Sequence, residues 1–216
     1  MKTEDSASLQ DATYQRLRQW LTVGRVVPGQ RLKIRALAES LGVGQMPVRA
    51  ALQRLAAEGA LHNVPNVGVT VPKLSRSEFD DVLVNRLLLE GEAAERGTRH
   101  LSAADCAEAG RLSSVMAKAI AAGELMHYLD ANEAFHLLLY RASGSPLLLQ
   151  LIETVWMKIG PLSTRLNEDA HVWASMNDAH VDIIAALQRK DAAAVRRGIE
   201  KDLFCAGQFL RSLCAD

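Results

Sequence analysis

Two short stretches near the N-terminus carry apolar residues at helical spacing. The first spans residues 34–41 and the second spans residues 47–58, and Gly42, Val43 and Gly44 separate them. Apolar positions three and four residues apart are typical of an amphipathic helix with one buried face. Two such helices joined by a glycine turn predict a helix-turn-helix at residues 34–58.

The pattern changes directly after the second helix. Residues 61–64 and 69–71 read as two short strands, and the turn formers Pro65, Asn66 and Gly68 lie between them, which predicts a hairpin, or wing. A further helix is predicted at residues 13–23, so we assign residues 13–73 to a winged helix-turn-helix domain. Residues 1–12 are polar and aperiodic, and we expect a disordered tail there.

Helical periodicity continues to the end of the chain without convincing strand alternation. After a linker at residues 74–76, we predict helices at 77–98, 102–122, 124–143, 145–167, 171–189 and 191–214. The predicted fold class is mainly α: an N-terminal winged helix-turn-helix followed, at residues 77–216, by an all-helical bundle of about six helices. A helical bundle by itself implies no function.

The charge is divided unevenly along the chain. Residues 13–73 hold nine basic and two acidic residues, a net charge of +7, so the rest carries −7 because the whole chain is neutral. A basic domain followed by an acidic one is expected when a DNA-binding domain is joined to a domain that does not bind DNA. A merely solvated basic face is the alternative. With no signal pattern and no apolar run long enough for a bilayer, we expect a cytoplasmic protein without membrane association.

The second helix of the helix-turn-helix turns its apolar stripe inward and exposes its other face. Such a face can enter the major groove of double-stranded DNA and touch base edges or phosphates. The predicted DNA contacts come from the two helices and the wing, and they are Arg35, Gln45, Met46, Arg49, Gln53, Asn66 and Gly68.

Polar residues interrupt the apolar stripes of four bundle helices. Buried polar groups must be satisfied by one another, by a metal or by a ligand. Two imidazoles and two oxygen donors suit a divalent transition metal of the Zn, Ni or Mn class, and they come from Asn132, His136, His180 and Asp202. Arg86 would then bind a carboxylate effector.

A simpler interpretation exists for each of these polar residues. A single histidine in an apolar stripe is often a hydrogen-bonded core residue, and Arg86 has Glu90 one helical turn away as an ion-pair partner. These alternatives remain open on the spacing alone.

The N-terminal half resembles the GntR family of transcriptional regulators. The matching segments are Pro28–Leu32, Leu37–Glu39, Leu41–Val43, Pro47–Arg49, Ala51–Leu52, Leu55, Glu58–Gly59 and the Gly68 wing. Gly44-Gln45-Met46 stands where the family usually has Ser-Arg-Thr, and Ala50 replaces a common Glu. A family operator sequence therefore does not follow from the resemblance.

The second half resembles the FadR-like ligand-binding domain, or FCD domain, of one GntR subfamily. The matching segments are Arg86 with Leu89–Glu90, Asn132 with Phe135–His136, Ala142–Gly144, His180 with Ile183–Leu187, and Lys190–Ala193. Six helices rather than seven favour the VanR-type branch. The resemblance implies a metal held by Asn132, His136 and His180, with Asp202 where a histidine is usual.

Together these resemblances imply a ligand-responsive regulator, most often a repressor, that binds a palindromic operator as a homodimer. The effector would be a small carboxylate bound at the metal and Arg86. One alternative is a metal-dependent enzyme that uses His136 and His180 with a carboxylate such as Glu133 or Asp182 as general base. Another is a regulator with no effector, whose polar core groups satisfy one another.

Overall fold

The computed structural model describes the backbone of residues 2–216 and the side chains of residues 9–216. Its helices are α1 (Lys2–Thr22), α2 (Ile34–Leu41), α3 (Gln45–Ala57), α4 (Arg76–Thr98), α5 (Ala103–Ala122), α6 (Leu125–Arg141), α7 (Pro146–Ile159), α8 (Ala170–Ser175), α9 (Asp178–Gln188) and α10 (Ala192–Ser212). The strands β1 (His62–Val64) and β2 (Gly68–Thr70) form one hairpin. A winged helix-turn-helix followed by a helical bundle confirms the predicted fold class.

The N-terminal domain is built around the contact between α1 and α3. Leu17 and Leu21 of α1 share a core with Leu52 and Leu55 of α3, and each of the four is at most 3% exposed. The wing pairs in antiparallel register with His62 opposite Thr70 and Val64 opposite Gly68. A further bridge from Arg31 to Thr70 holds the wing against the segment that precedes α2.

The bundle packs α10 against α4, α5 against α6 and α9, and α7 against α4. Its helix starts follow the local sequence: Ser75 and Ser102 each form a capping box, and the Asp191 side chain accepts from the Ala194 amide. Across residues 2–216, no helix is both long and apolar enough to cross a membrane.

The structure corrects the expectation of a disordered N-terminal tail. Helix α1 begins at Lys2 rather than Thr13, so residues 2–12 are helical. This stretch contains neither glycine nor proline, and Asp11 forms an ion pair with Arg54 of α3 at 3.2 Å. Apolar periodicity could not reveal a polar helical extension that has no apolar stripe.

Two of the predicted bundle helices are interrupted. The helix predicted at 145–167 ends at Ile159 and continues as a 3₁₀ turn, Gly160–Arg165, because Pro161 has no N–H to donate to the preceding turn. The helix predicted at 171–189 divides into α8 and α9 near Asn177, whose side-chain amide donates to the Ser113 carbonyl at 3.3 Å.

The two domains are in direct contact. Arg18 of α1 forms an ion pair with Glu153 of α7, and Lys158 donates to the Gly59 carbonyl at 3.2 Å. Met157 of α7, 2% exposed, joins the N-terminal core. The winged domain therefore rests on α7 of the bundle.

Candidate functional site

Helix α3 presents its polar face to solvent. Gln45, Met46, Arg49 and Gln53 are all exposed, as the predicted DNA contacts require. The helix begins at Gln45 rather than at residue 47 as predicted, and its first turn carries no acidic residue. The N-terminal end of a helix has a positive partial charge, so this end suits a DNA phosphate.

The wing has its backbone set by Asn66 and Gly68. The Val67 amide donates to the Val64 carbonyl at 3.1 Å, which closes the turn. Asn66 has φ 62° and Gly68 has φ 100°, a region that asparagine tolerates and that favours glycine. Asn66 is exposed at the tip, whereas Gly68 can contact DNA only through its backbone.

The basic residues of this domain differ in what they contact. Arg35 pairs with Glu39 at 3.0 Å, and because both side chains are more than half exposed, the pair is weak and the arginine can still reach a phosphate. Arg54 instead lies over the Tyr14 ring, 3.7 Å from its centroid, and faces α1.

Arg31 and Lys33 are exposed. Neither they nor Arg49 forms an ion pair with any side chain of residues 9–216. Arg31 and Lys33 are not among the predicted DNA contacts, although their exposure would allow them to reach a phosphate. Their place in the basic N-terminal run was the only signal for them.

Three of the predicted metal ligands meet in the bundle core, one each from α6, α9 and α10. His136 Nε2 lies 3.4 Å from His180 Nε2 and 3.3 Å from Asp202 Oδ2. His180 Nε2 lies 3.9 Å from Asp202 Oδ1. Both imidazoles are buried, at no more than 2% exposed.

A chain of hydrogen bonds determines which nitrogen of a neutral His136 carries the hydrogen. Arg86 donates to Glu90 through Nε and a terminal nitrogen, so Glu90 acts as a carboxylate acceptor. The Tyr140 hydroxyl donates to Glu90 at 2.9 Å and must therefore accept from Nδ1–H of His136, also at 2.9 Å. The lone pair of His136 Nε2 is left facing the other two candidate ligands.

The protonation states of His180 and Asp202 favour binding of a cation. Burial lowers the pKa of His180 to about 4, so its imidazole is neutral at physiological pH. Burial raises the pKa of Asp202, but the two imidazoles and Arg86 outweigh that effect and leave the pKa below its usual value. The site therefore combines the Asp202 carboxylate with the neutral imidazole of His180.

These residues fit a divalent metal. Zinc ligands bound at about 2.0–2.1 Å on neighbouring corners of a tetrahedron lie about 3.3–3.4 Å apart, which matches the two separations from His136 Nε2. His180 Nδ1 is buried and has no hydrogen-bond partner among the described residues. Asn132, the fourth predicted ligand, lines the same cavity, with its Oδ1 3.5 Å from the Tyr128 hydroxyl oxygen.

A cavity of about 80 Å³ adjoins the cluster. Arg86, Asn132, His136 and Asp202 all line it. Trp156 lines it too, and its buried indole Nε1 has no hydrogen-bond partner among the described residues. The cavity therefore combines candidate metal ligands with a tryptophan whose indole N–H lacks an acceptor.

Arg86 has the partner that the simpler interpretation gave it. Its ion pair with Glu90 is buried, with the glutamate side chain fully inaccessible. The guanidinium still lines the cavity, and its second terminal nitrogen makes no hydrogen bond to a described residue. Arg86 can therefore hold Glu90 and donate to a carboxylate at the same time.

Tyr140 was missed by the sequence reasoning. It follows His136 by four residues, the spacing at which two helical side chains lie together, and this spacing was the available signal.

Comparison with known families covers both domains. Residues 9–71 match the model described as bacterial regulatory proteins, gntR family, and residues 81–203, more than half of the chain, match the FCD domain. The chain belongs to the GntR family. It is a DNA-binding transcriptional regulator with an FCD domain, and the resemblance predicted from the sequence is confirmed, with the VanR-type branch still a prediction.

Named relatives agree with this assignment. The HTH-type transcriptional regulator McbR of Escherichia coli K12 is 32% identical over 183 residues, which cover 83% of this chain and 82% of McbR. The HTH-type transcriptional repressor RspR of the same strain is 24% identical over 190 residues, 88% of this chain and 83% of RspR. The solved structure of E. coli McbR/YncC matches with a TM-score of 0.88 at 28% identity, over 95% of this chain and 98% of the other.

Proposed function

We propose that this GntR-family protein is a repressor whose affinity for its operator is controlled by a small carboxylate bound beside a divalent metal in the FCD domain. The observation that carries the proposal is the convergence of His136 Nε2, His180 Nε2 and Asp202 in a buried cluster. A cation bound among these nitrogen and oxygen atoms would be attracted to the carboxylate and to the imidazole lone pairs at once.

The residues around the cavity have distinct roles in this proposal. His136, His180, Asp202 and Asn132 would hold the metal, which supplies positive charge for an anionic ligand. Arg86 donates to the ligand carboxylate, and Trp156 Nε1 donates to a second ligand oxygen. The carboxylate of Glu90 keeps the guanidinium in place.

DNA binding is assigned to α3 and the wing. Gln45, Met46, Arg49 and Gln53 would face base edges and phosphates in the major groove, with Asn66 at the wing tip. A homodimer would place two such units on a palindromic operator. An effector can change DNA affinity only by binding one of two conformations better than the other.

Metal content of the protein purified without an affinity tag tests the proposal. We expect a near-stoichiometric transition metal that is lost in His136→Ala and in Asp202→Ala. His127→Ala is the matched control, because His127 lies on the same helix but is 71% exposed and contacts Glu124. A parent protein that takes up no zinc, nickel or manganese would overturn the metal part of the proposal.

A further inference from the structure

The cavity beside the metal cluster is not enclosed by the bundle alone. Thr22 and Val23, at the end of α1 in the DNA-binding domain, form part of its wall. Val23 is 2% exposed. Asn132, His136 and Asp202 line the same cavity from the bundle. A ligand in this cavity would therefore lie between the two domains.

The end of α1 approaches the bundle backbone to backbone at Gly160. A Cβ atom at Gly160 would lie 2.1 Å from the Leu21 carbonyl oxygen and 2.4 Å from that of Thr22, far inside van der Waals contact. Gly160 has φ −52° and ψ −39°, a conformation open to any residue. Its missing side chain therefore serves the close contact with α1 and not the backbone conformation.

Helix α1 links this contact to the DNA-reading helix. On the bundle side, Arg25 pairs with Asp130 at 2.8 Å, and Gln19 donates to Glu133 at 3.2 Å, on either side of Asn132 in α6. On the other side, α1 contributes Tyr14, Leu17 and Leu21 to the core that α3 shares. A displacement at the end of α1 therefore reaches α3 through packed side chains.

The cavity volume limits the size of ligand that fits without movement of a wall. At about 80 Å³ it is well below the roughly 300–1,000 Å³ of pockets that enclose drug-sized ligands. A metal with water or a very short acid fits, whereas a longer acid requires one wall to move. The wall formed by α1 belongs to another domain and is held partly by polar contacts, and domains joined in this way move relative to each other more readily than a packed core does.

We infer that Thr22 and Val23 are part of the effector site, so that an organic acid too long for the closed cavity contacts the DNA-binding domain and displaces the end of α1. This inference rests on the proposed carboxylate site. It adds a direct route from ligand to α3, beside the linker at residues 74–76.

The first test changes the α1 wall in the full-length chain. Val23→Ala is compared with Val26→Ala, the same substitution at a similarly buried position, 4% exposed, that does not line the cavity. Binding of acetate, succinate and citrate to zinc-loaded protein is measured by calorimetry. Val23→Ala is expected to change succinate or citrate affinity by about fivefold or more, in the range of ordinary site coupling, and Val26→Ala to leave it unchanged.

The second test displaces α1 without a ligand. Gly160→Ala is compared with Gly110→Ala, where a Cβ meets no other atom within 4 Å. Operator affinity is measured with a DNA fragment that the parent selects from a random pool. Gly160→Ala is expected to shift this affinity in the same direction as a saturating acid, and Gly110→Ala to match the parent.

The outcomes separate this inference from the proposed function. If acids bind the parent but Val23→Ala behaves like Val26→Ala, the effector site stands and the role of α1 is wrong. An unchanged operator affinity in Gly160→Ala overturns the route through α1 in the same way. If none of the three acids binds the zinc-loaded parent, the proposed carboxylate site fails and the inference fails with it.

Discussion

Replacing Tyr140 with phenylalanine removes one oxygen from the centre of the buried network. That hydroxyl accepts from His136 Nδ1 and donates to Glu90, each at 2.9 Å, and all three residues are at most 2% exposed. Burial raises the pKa of Tyr140 well above its usual value, so the hydroxyl keeps its hydrogen and remains a donor. Tyr140→Phe therefore leaves the His136 nitrogen unpaired and one carboxylate oxygen with fewer donors.

The expected cost follows from these two bonds. A buried donor without a partner costs about 1–3 kcal/mol, and a hydrogen bond to a charged group contributes about 1.5–3 kcal/mol. Because Arg86 still donates to Glu90, we expect a total loss of about 2–4 kcal/mol in the free energy of unfolding of the metal-free protein. Loss of a group that orients a metal-binding histidine typically weakens metal affinity by about 10–100-fold.

Urea unfolding and competition with a zinc chelator measure the two effects separately. Tyr14→Phe is the matched control, because it removes a buried tyrosine hydroxyl that donates to Glu58 at 2.7 Å in the other domain. The control should lose some stability and keep the parent's zinc affinity. If Tyr140→Phe also kept that affinity, the hydrogen-bond chain would not orient His136 and the assignment of its hydrogen would be wrong.

Three further predictions concern other parts of the chain. Arg49→Ala should weaken operator binding by about 1–3 kcal/mol if the arginine contacts a base. If the arginine contacts a phosphate instead, the slope of log affinity against log salt concentration should fall by about 1. Arg54→Ala should have neither effect, and fluorescence anisotropy across a salt series measures both. Glu90→Ala should lower the free energy of unfolding by about 3–5 kcal/mol, because it leaves its buried arginine partner unpaired; an unchanged urea midpoint would contradict this. The Arg211 hydrogen bond lowers the pKa of Asp80, so their pair stabilises the fold above about pH 4 and is lost as the pH falls through the lowered pKa. The free energy of unfolding of Asp80→Asn should therefore be lower than that of the parent at pH 7, and the two values should approach each other in acid. A difference that does not change with pH would be evidence against the pair.

The fold was predictable wherever burial follows a period. Helix α2 was predicted with the bounds that it has, and α4, α5, α6 and α10 differ by no more than two residues at either end. Periodicity failed at the polar start of α1, which has no apolar stripe to mark it, and at Pro161, where one missing N–H ends the helix without interrupting the stripe.

The sequence predicted which residues form the candidate site but not the contacts between the helices that carry them. A polar residue in an apolar stripe identified Arg86, Asn132, His136, His180 and Asp202 as a set, and the structure places all of them at or beside one cavity. Spacing along single helices carries no information on contacts between helices. The Tyr140–Glu90 bond and the wall from α1 therefore required the three-dimensional structure.

The most direct test of control by the buried cluster is operator affinity measured at one salt concentration. It is measured with and without zinc, and with and without acetate, succinate or citrate. We predict that at least one acid, in the presence of the metal, changes the dissociation constant of the DNA complex by about 5–150-fold, and that Asp202→Ala abolishes the change while still binding DNA. Identical dissociation constants for the parent with metal and without it, under every acid, would contradict the central claim that the buried cluster controls DNA binding.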